Sequence, residues 1–246
     1  MIIVIFFFIL GLIWGSFLNC LIYRLVYNLP ITKRSFCPLC KKKLLNRDLI
    51  PVFSYFLLGG KCRFCGQNFG WHYLAAELLT GLVFVSFFLK YWAFNFLLVR
   101  DLIFASILIL IFFIDLKYYL ILDRIIWVAI FLAIALNLIA GPSLSDLILG
   151  IIIGVSFFLF QYLVSKAKWI GLGDVKLGAL LGAMLGWQFT VLTIVLAYLI
   201  GGITALLLLL SKQKKISDVL PLGSFLAAAG IIVLLVGDKI LTFFFI

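Results

Sequence analysis

Runs of about twenty apolar residues succeed one another along almost the whole chain, and no other feature leaves it so few folds. A bilayer core about 30 Å thick is crossed by about 20 residues of helix. Within lipid, every backbone N–H and C=O must find its partner inside the protein, which a helix achieves by itself. Read for runs bounded by charges, Gly/Pro or polar clusters, the sequence predicts about eight spans. They lie roughly at 1–23, 72–90, 95–116, 122–140, 145–165, 172–187, 189–210 and 220–244. The chain is 66% hydrophobic and only 12% charged, against about 45–50% and about 25% for a soluble domain. The expected class is therefore an all-α polytopic membrane protein. No A-x-A-like cleavage site follows the first run, so it reads as a retained helix and not as a removed signal peptide. The split between 172–187 and 189–210 rests on "GWQF" and on Gly178, Gly182 and Gly186, whose spacing suits close helix packing. One long kinked segment is the alternative.

The spans sort the charges. All of the 20 lysines and arginines except Lys90, Arg100 and Lys239 fall on one side. Most lie in the loop from Arg24 to Gly70; Lys117 and Arg124, Lys166 and Lys168, and Lys212, Lys214 and Lys215 follow in later connections on the same side. Short basic loops stay in the cytoplasm, so that side is expected to be cytoplasmic, with both termini outside. A net charge of +11 would suggest nucleic acid in a soluble protein. Beside an anionic inner leaflet, attraction to lipid headgroups accounts for it. The expected partners therefore include membrane lipids and no nucleic acid.

That large loop carries Cys37-Pro-Leu-Cys40 and Cys62-Arg-Phe-Cys65. Each pair can set two thiolates on one cation, and together they close a tetrahedral shell of four cysteines, the pattern of structural zinc. Disulfides seldom persist in the cytoplasm, which favours metal. Four ligands leave no open position, so the ion is structural, and in so short a loop it supplies much of the folding energy. The expected fold thus includes a small cytoplasmic zinc-binding loop domain. Cys20, in the first run, reads as a small apolar packing residue.

Acids are scarce, nine in all, yet three meet at one membrane level. Asp115 closes the third run in "FFIDLKYYLILD", Asp123 follows it, and Asp174 opens the sixth in "GLGDVK". An acid at the centre of a span costs about 2.5–3.5 kcal/mol to insert, and less near an interface. One reading is structural: Asp174 serves the helix dipole, Asp115 pairs with Lys117 or Arg124, and Asp123 pairs or caps. The other is chemical. Two carboxylates facing each other at a half-dehydrated boundary share a proton. The ionised member can then deprotonate water while the protonated one polarises a peptide carbonyl. Gly171 and Gly173 would let a substrate backbone approach Asp174 closely. A transport pathway would instead place acids at mid-bilayer. Glu77, the only glutamate, lies within the second run in "WHYLAAELLTG" and is either paired with a basic loop residue or functional. His72 reads as an interfacial bystander.

These stretches, in order, resemble the type IV prepilin peptidases, GxGD aspartyl proteases of bacterial inner membranes. The likeness begins with "GSFLNCLIYRL" at 15–25. "CPLC" followed by "NRDLIPVFSYFLLGGKCRFC" resembles the family's cysteine loop, "IDLKYYLILD" and "GLGDVKLGALLG" its two aspartate motifs, and "PLGSFLAAAG" its closing segment. Leu122 stands where the family often has proline. His72 and Leu74 stand where Arg and Pro are common, and Leu222 and Ser224 depart from a closing "PFGP". The resemblance implies catalytic Asp115 and Asp174, with Gly171, Gly173 and Lys176 in the active-site loop. It further implies removal of the leader from type IV prepilins or pseudopilins on the cytoplasmic side, before a hydrophobic helix. The cysteine loop accompanies N-methylation of the new amine from S-adenosylmethionine, with Gly60 and Glu77 at positions associated with that transfer. Residues 1–90, with the loop at about 24–71, would form the methyltransferase module and 91–246 a six-helix peptidase domain. A peptidase without methyl transfer, and a membrane assembly or transport protein with structural aspartates, remain the alternatives.

Overall fold

The computed structural model describes residues 1–213, 215 and 219–245; Lys214, counted among the basic residues above, lies outside them. The described chain is helical. In order come α1 (Ile2–Val26), a 3-10 turn (Asn46–Leu49), α2 (Phe53–Leu57), α3 (Trp71–Tyr91), α4 (Phe96–Tyr118), α5 (Asp123–Ala140), α6 (Leu144–Val164), α7 (Leu172–Leu185), α8 (Trp187–Leu210) and α9 (Leu222–Phe245). Extended pairing among the described residues is confined to two isolated bridges, Phe36 with Lys43 and Lys61 with Asn68. The chain divides into two compact units, residues 1–98 and 99–246.

Every expected apolar run is a helix, and seven of these helices are long and apolar enough to cross a membrane. The sixth run differs. Helix α7 has 14 residues, a rise of about 21 Å, which is short of a bilayer core. It stops where Gly186 adopts φ +77°, and α8 begins at the next residue, so the run is split there and is not one kinked segment. Carbonyls at the end of this short helix find partners on α5. Asn137 of α5, 2% exposed, donates from Nδ2 to the oxygens of Ala183 and Met184 at 2.8 and 3.0 Å. Its Oδ1 accepts from Arg100, which also donates to the oxygen of Ala140 and pairs with Asp101 at 2.8 Å. This buried polar cluster supplies the partners that lipid cannot.

Between apolar helices in lipid, association comes from close packing, and small residues permit it. In the first unit, Gly11 and Gly15 of α1 lie against α3: a Cβ on Gly15 would fall 2.7 Å from Cα of Glu77, and one on Gly11 2.7 Å from Cα of Gly81. In the second unit, α6 and α7 meet backbone to backbone. A Cβ on Gly154 would fall 2.2 Å from the oxygen of Gly178, and one on Gly182 2.3 Å from the carbonyl carbon of Gly150.

Candidate functional site

In the second unit the C-terminal end of α4 meets the first turns of α5, α7 and α9. Asp115, near the end of α4, is 5% exposed. Its Oδ2 accepts two hydrogen bonds from α9, from the backbone N–H of Ser224 at 2.6 Å and from its hydroxyl at 3.0 Å. Asp174 lies in the first turn of α7, and its Oδ2 accepts the N–H of Gly171 at 3.0 Å. The two carboxylates are close enough to interact electrostatically. The first turns of α7 and α9 bring the positive ends of two helix dipoles to them. The capping role is thus real for Asp174, filled by Oδ2.

The segment between α4 and α5 closes over this point. Tyr119 takes φ +54° and its N–H donates to the oxygen of Asp115 at 2.9 Å, turning the chain sharply after α4. Ile121 then lodges between two glycines: a Cβ on Gly173 would lie 2.9 Å from Cβ of Ile121, and one on Gly223 3.1 Å from its Cδ1. A Cβ on Gly223 would also lie 3.0 Å from Cγ of Asp115. Asp123 pairs with Lys176, Nζ to Oδ1 at 2.6 Å, so it has a partner on α7, distant in sequence. The bridge straps the first turn of α5 to that of α7. Such exposed pairs contribute about 0–1 kcal/mol; this one orients Lys176 toward α5. The sequence singled out Asp115, Asp174, Gly171, Gly173 and Lys176, and all five lie in this cluster. It missed Ile121, Gly223 and Ser224. A serine just inside the first turn of an apolar helix was the available signal.

In the first unit, the two cysteine pairs fold as copies of one knuckle. Cys37 N–H donates to the Lys42 oxygen and Lys41 N–H to the Cys37 oxygen, both at 2.9 Å; Cys62 to Gln67 and Gly66 to Cys62 repeat this at 2.8 and 2.9 Å. Lys41 and Gly66 hold the matching left-handed positions, φ +59° and +68°. Backbone N–H groups of Cys40 and Leu39 serve Cys37, and those of Cys65 and Phe64 serve Cys62. Burial pushes the Cys37 thiol up to about 11. Burial acts the same way on Cys62, but its two N–H donors and Cys37 more than reverse it, to about 7.

The four Sγ atoms lie within 4.8 Å of one another, with Cys37–Cys65 and Cys40–Cys62 at 4.0 Å. Zn–S bonds of about 2.3 Å in a tetrahedron put sulfurs about 3.8 Å apart, so the donor set fits a closed zinc site. Arg63, within the second knuckle, donates from Nη2 and Nε to Oδ1 of Asp48 at 2.7 and 3.0 Å. That guanidinium holds the Asp48 carboxyl below its ordinary value. Purified protein is expected to carry about one zinc per chain. A strong chelator is expected to abolish amide-exchange protection across 36–69 while the apolar helices keep theirs, because metal binding supplies the folding energy of so small a loop. Retained protection after complete zinc removal would refute this.

Beside the knuckles is an open cavity of ≈ 880 Å³, counted to its mouth, whose lining includes Asn19, Tyr23, Tyr55, Gly60, Tyr73 and Glu77. Gly60 has φ +68°, a conformation that favours glycine, and a Cβ there would lie 2.9 Å from Cζ of Tyr55. Glu77, 8% exposed, accepts the N–H of Val52 at 2.7 Å and a hydrogen bond from Ser16. Val52 itself has φ +62°. Glu77 therefore fixes the strained turn before α2 while its carboxylate lines the cavity. Cys20 lies 3.7 Å from the Ser35 hydroxyl, sulfur to oxygen, on the same wall.

Comparison with known proteins places these parts. Residues 9–91 match the bacterial peptidase A24 N-terminal domain, and residues 102–206 match the type IV leader peptidase family. A prepilin leader peptidase/N-methyltransferase of Pseudomonas aeruginosa is 34% identical over 266 residues, covering 94% of this chain and 89% of that protein. Proteins of the same description from Bacillus subtilis and Aeromonas hydrophila are each 31% identical, covering 96% and 95% of this chain and 96% and 90% of theirs. No solved structure matches the chain significantly. With a helical membrane fold and relatives of this similarity along nearly its full length, the chain belongs to the type IV leader peptidase family.

Proposed function

We propose that this chain is a prepilin leader peptidase of the bacterial inner membrane that also N-methylates its product, with Asp115 and Asp174 as the catalytic pair. The observation that carries the reading is the convergence of these two carboxylates at the end of α4 and the first turn of α7. One carboxylate that takes a proton from water, beside one that gives a proton to a carbonyl oxygen, is the arrangement aspartyl hydrolysis needs. Gly171 and Lys176 flank Asp174, and a substrate strand approaching Gly173 has Ile121 to displace. The charge asymmetry supports a cytoplasmic zinc loop and active site with both termini outside. A scissile bond between a hydrophilic leader and an apolar helix would then lie at the level of the pair.

Residues 1–90 would form the methyltransferase module and 91–246 the peptidase. The cavity beside the knuckles suits a methyl donor with the charge of S-adenosylmethionine. Aromatic rings line it, and Glu77 offers a buried negative charge to a cationic molecule. Gly60 and Glu77, with Tyr55 and Tyr73, would hold that donor, which supplies the methyl group when bound.

The test is one assay with two readouts. Purified protein in liposomes is given a prepilin and S-adenosylmethionine labelled in its methyl group, and the product is weighed. The expected product lacks the leader and carries one methyl group. Glu77→Gln is expected to lower methyl incorporation by about 10²-fold while leaving cleavage within about twofold, since truncating a buried charged contact costs that much at one site. An uncut prepilin across several substrates, with zinc retained, would favour the assembly or transport reading. Cleavage without label would leave a peptidase alone.

A further inference from the structure

We propose that Ser224 is a positioning residue that fixes Asp115 as the proton-accepting member of the aspartate pair. The inference rests on the pair being catalytic, and it assigns the two partners different roles.

An oxygen that accepts two hydrogen bonds at 2.6 and 3.0 Å is not the oxygen that carries a proton. Ser224 is 1% exposed, so both donors are shielded from water and neither can turn away to solvent. Its one hydroxyl proton is shared between Asp115 Oδ2 and the oxygen of Phe112 at 3.2 Å, one turn back on α4, so the side chain is held against that helix while the shorter backbone N–H bond serves Asp115 alone. Among the described residues, Asp174 has no side-chain donor of this kind: backbone N–H groups serve it, that of Gly171 at 3.0 Å and its own, on a first turn that the solvent reaches. The asymmetry sets the roles. Asp115 is the base, anchored through Oδ2 and acting through Oδ1, and Asp174 carries the shared proton.

The reaction balances on that assignment. A water gives one proton to Asp115 Oδ1 as its oxygen bonds to the peptide carbonyl carbon, and Asp174 gives its proton to the carbonyl oxygen. The resulting tetrahedral diol then collapses. The C–N bond breaks as Asp115 returns its proton to the leaving nitrogen, and one diol hydroxyl gives its proton back to Asp174 as the carbonyl re-forms. Acid, amine and the starting charge state of the pair result. In the closing motif that this segment resembles, the position of Ser224 is proline, which offers neither donor.

The test measures kcat and KM of cleavage for the parent, Ser224→Ala, Ser224→Thr and Asp115→Asn in liposomes. Ser224→Ala is expected to lower kcat by about tenfold with KM within about twofold. It loosens the base without touching substrate, and one hydrogen bond to a charged group is worth about that factor. Ser224→Thr, which keeps the hydroxyl, is expected to recover most of the loss. Parental kcat in Ser224→Ala, a loss confined to KM, or equal losses in the Ala and Thr variants would overturn the proposal. Parental kcat in Asp115→Asn would sink the catalytic pair itself, an outcome that the serine variants do not mimic.

Discussion

Asp115→Asn and Asp174→Asn are each expected to lower the rate of prepilin cleavage by about 10³-fold or more and to leave the chain folded. The magnitude follows from the task, because positioned acid–base groups contribute about 10²–10⁴-fold and an amide can neither take a proton from water nor return one. The fold is spared for a structural reason. An amide oxygen at position 115 still accepts from both donors of Ser224, and one at position 174 still accepts the N–H of Gly171. Removing a charge at a membrane boundary also removes its insertion cost. Initial rates, with the thermal melt as the control for folding, check the expectation. Parental rates in both variants would return Asp174 to a helix cap and leave the family fold serving as a scaffold.

Gly154→Ala is the second large effect, and it arises at a helix–helix contact one turn along α7 from Asp174. The added Cβ would sit 2.2 Å from the oxygen and 2.7 Å from the carbonyl carbon of Gly178. Both are backbone atoms and cannot swing aside, so α6 and α7 must part. Overpacking of this kind costs about 1–3 kcal/mol and occasionally more. Because α7 carries Asp174, parting also shifts one carboxylate against the other, and a displacement of about 1 Å can cost about 10²-fold in rate. Gly202→Ala is the matched control. Nothing lies within 4 Å of its Cβ position, so that substitution leaves activity intact and stabilises the helix by about 0.5–1 kcal/mol. Equal behaviour of the two variants in melting and cleavage would contradict the packing account.

How much of this the sequence revealed depends on the range of the interaction. The spans were legible because lipid imposes one length and one composition on every crossing helix. The glycine spacing of α7 was legible as a packing face, although its partners Gly150 and Gly154 were not; a contact surface names itself without naming what lies on it. Asp115 and Asp174 stood out because acids are costly in apolar surroundings. The bridge from Asp123 to Lys176 could not be read, since local candidates such as Arg124 were nearer in sequence and only the α5–α7 packing decides. Ser224 was visible as a departure from a motif, but its bonds to Asp115 depend on α4 and α9 meeting. The shortness of α7 also escaped notice. Nothing in "LGALLGAMLGW" says that Asn137, from another helix, will satisfy the carbonyls at its end.

The central claim is that Asp115 and Asp174 act as one device on one peptide bond. The residual cleavage rate of Asp115→Asn/Asp174→Asn, set beside the two single variants, tests it most directly. Groups that work as a unit are strongly non-additive, so the double variant is expected to be no slower than the slower single. A double variant slowed by the product of the two single losses would show two independent contributions, and the shared-proton pair would have to be abandoned.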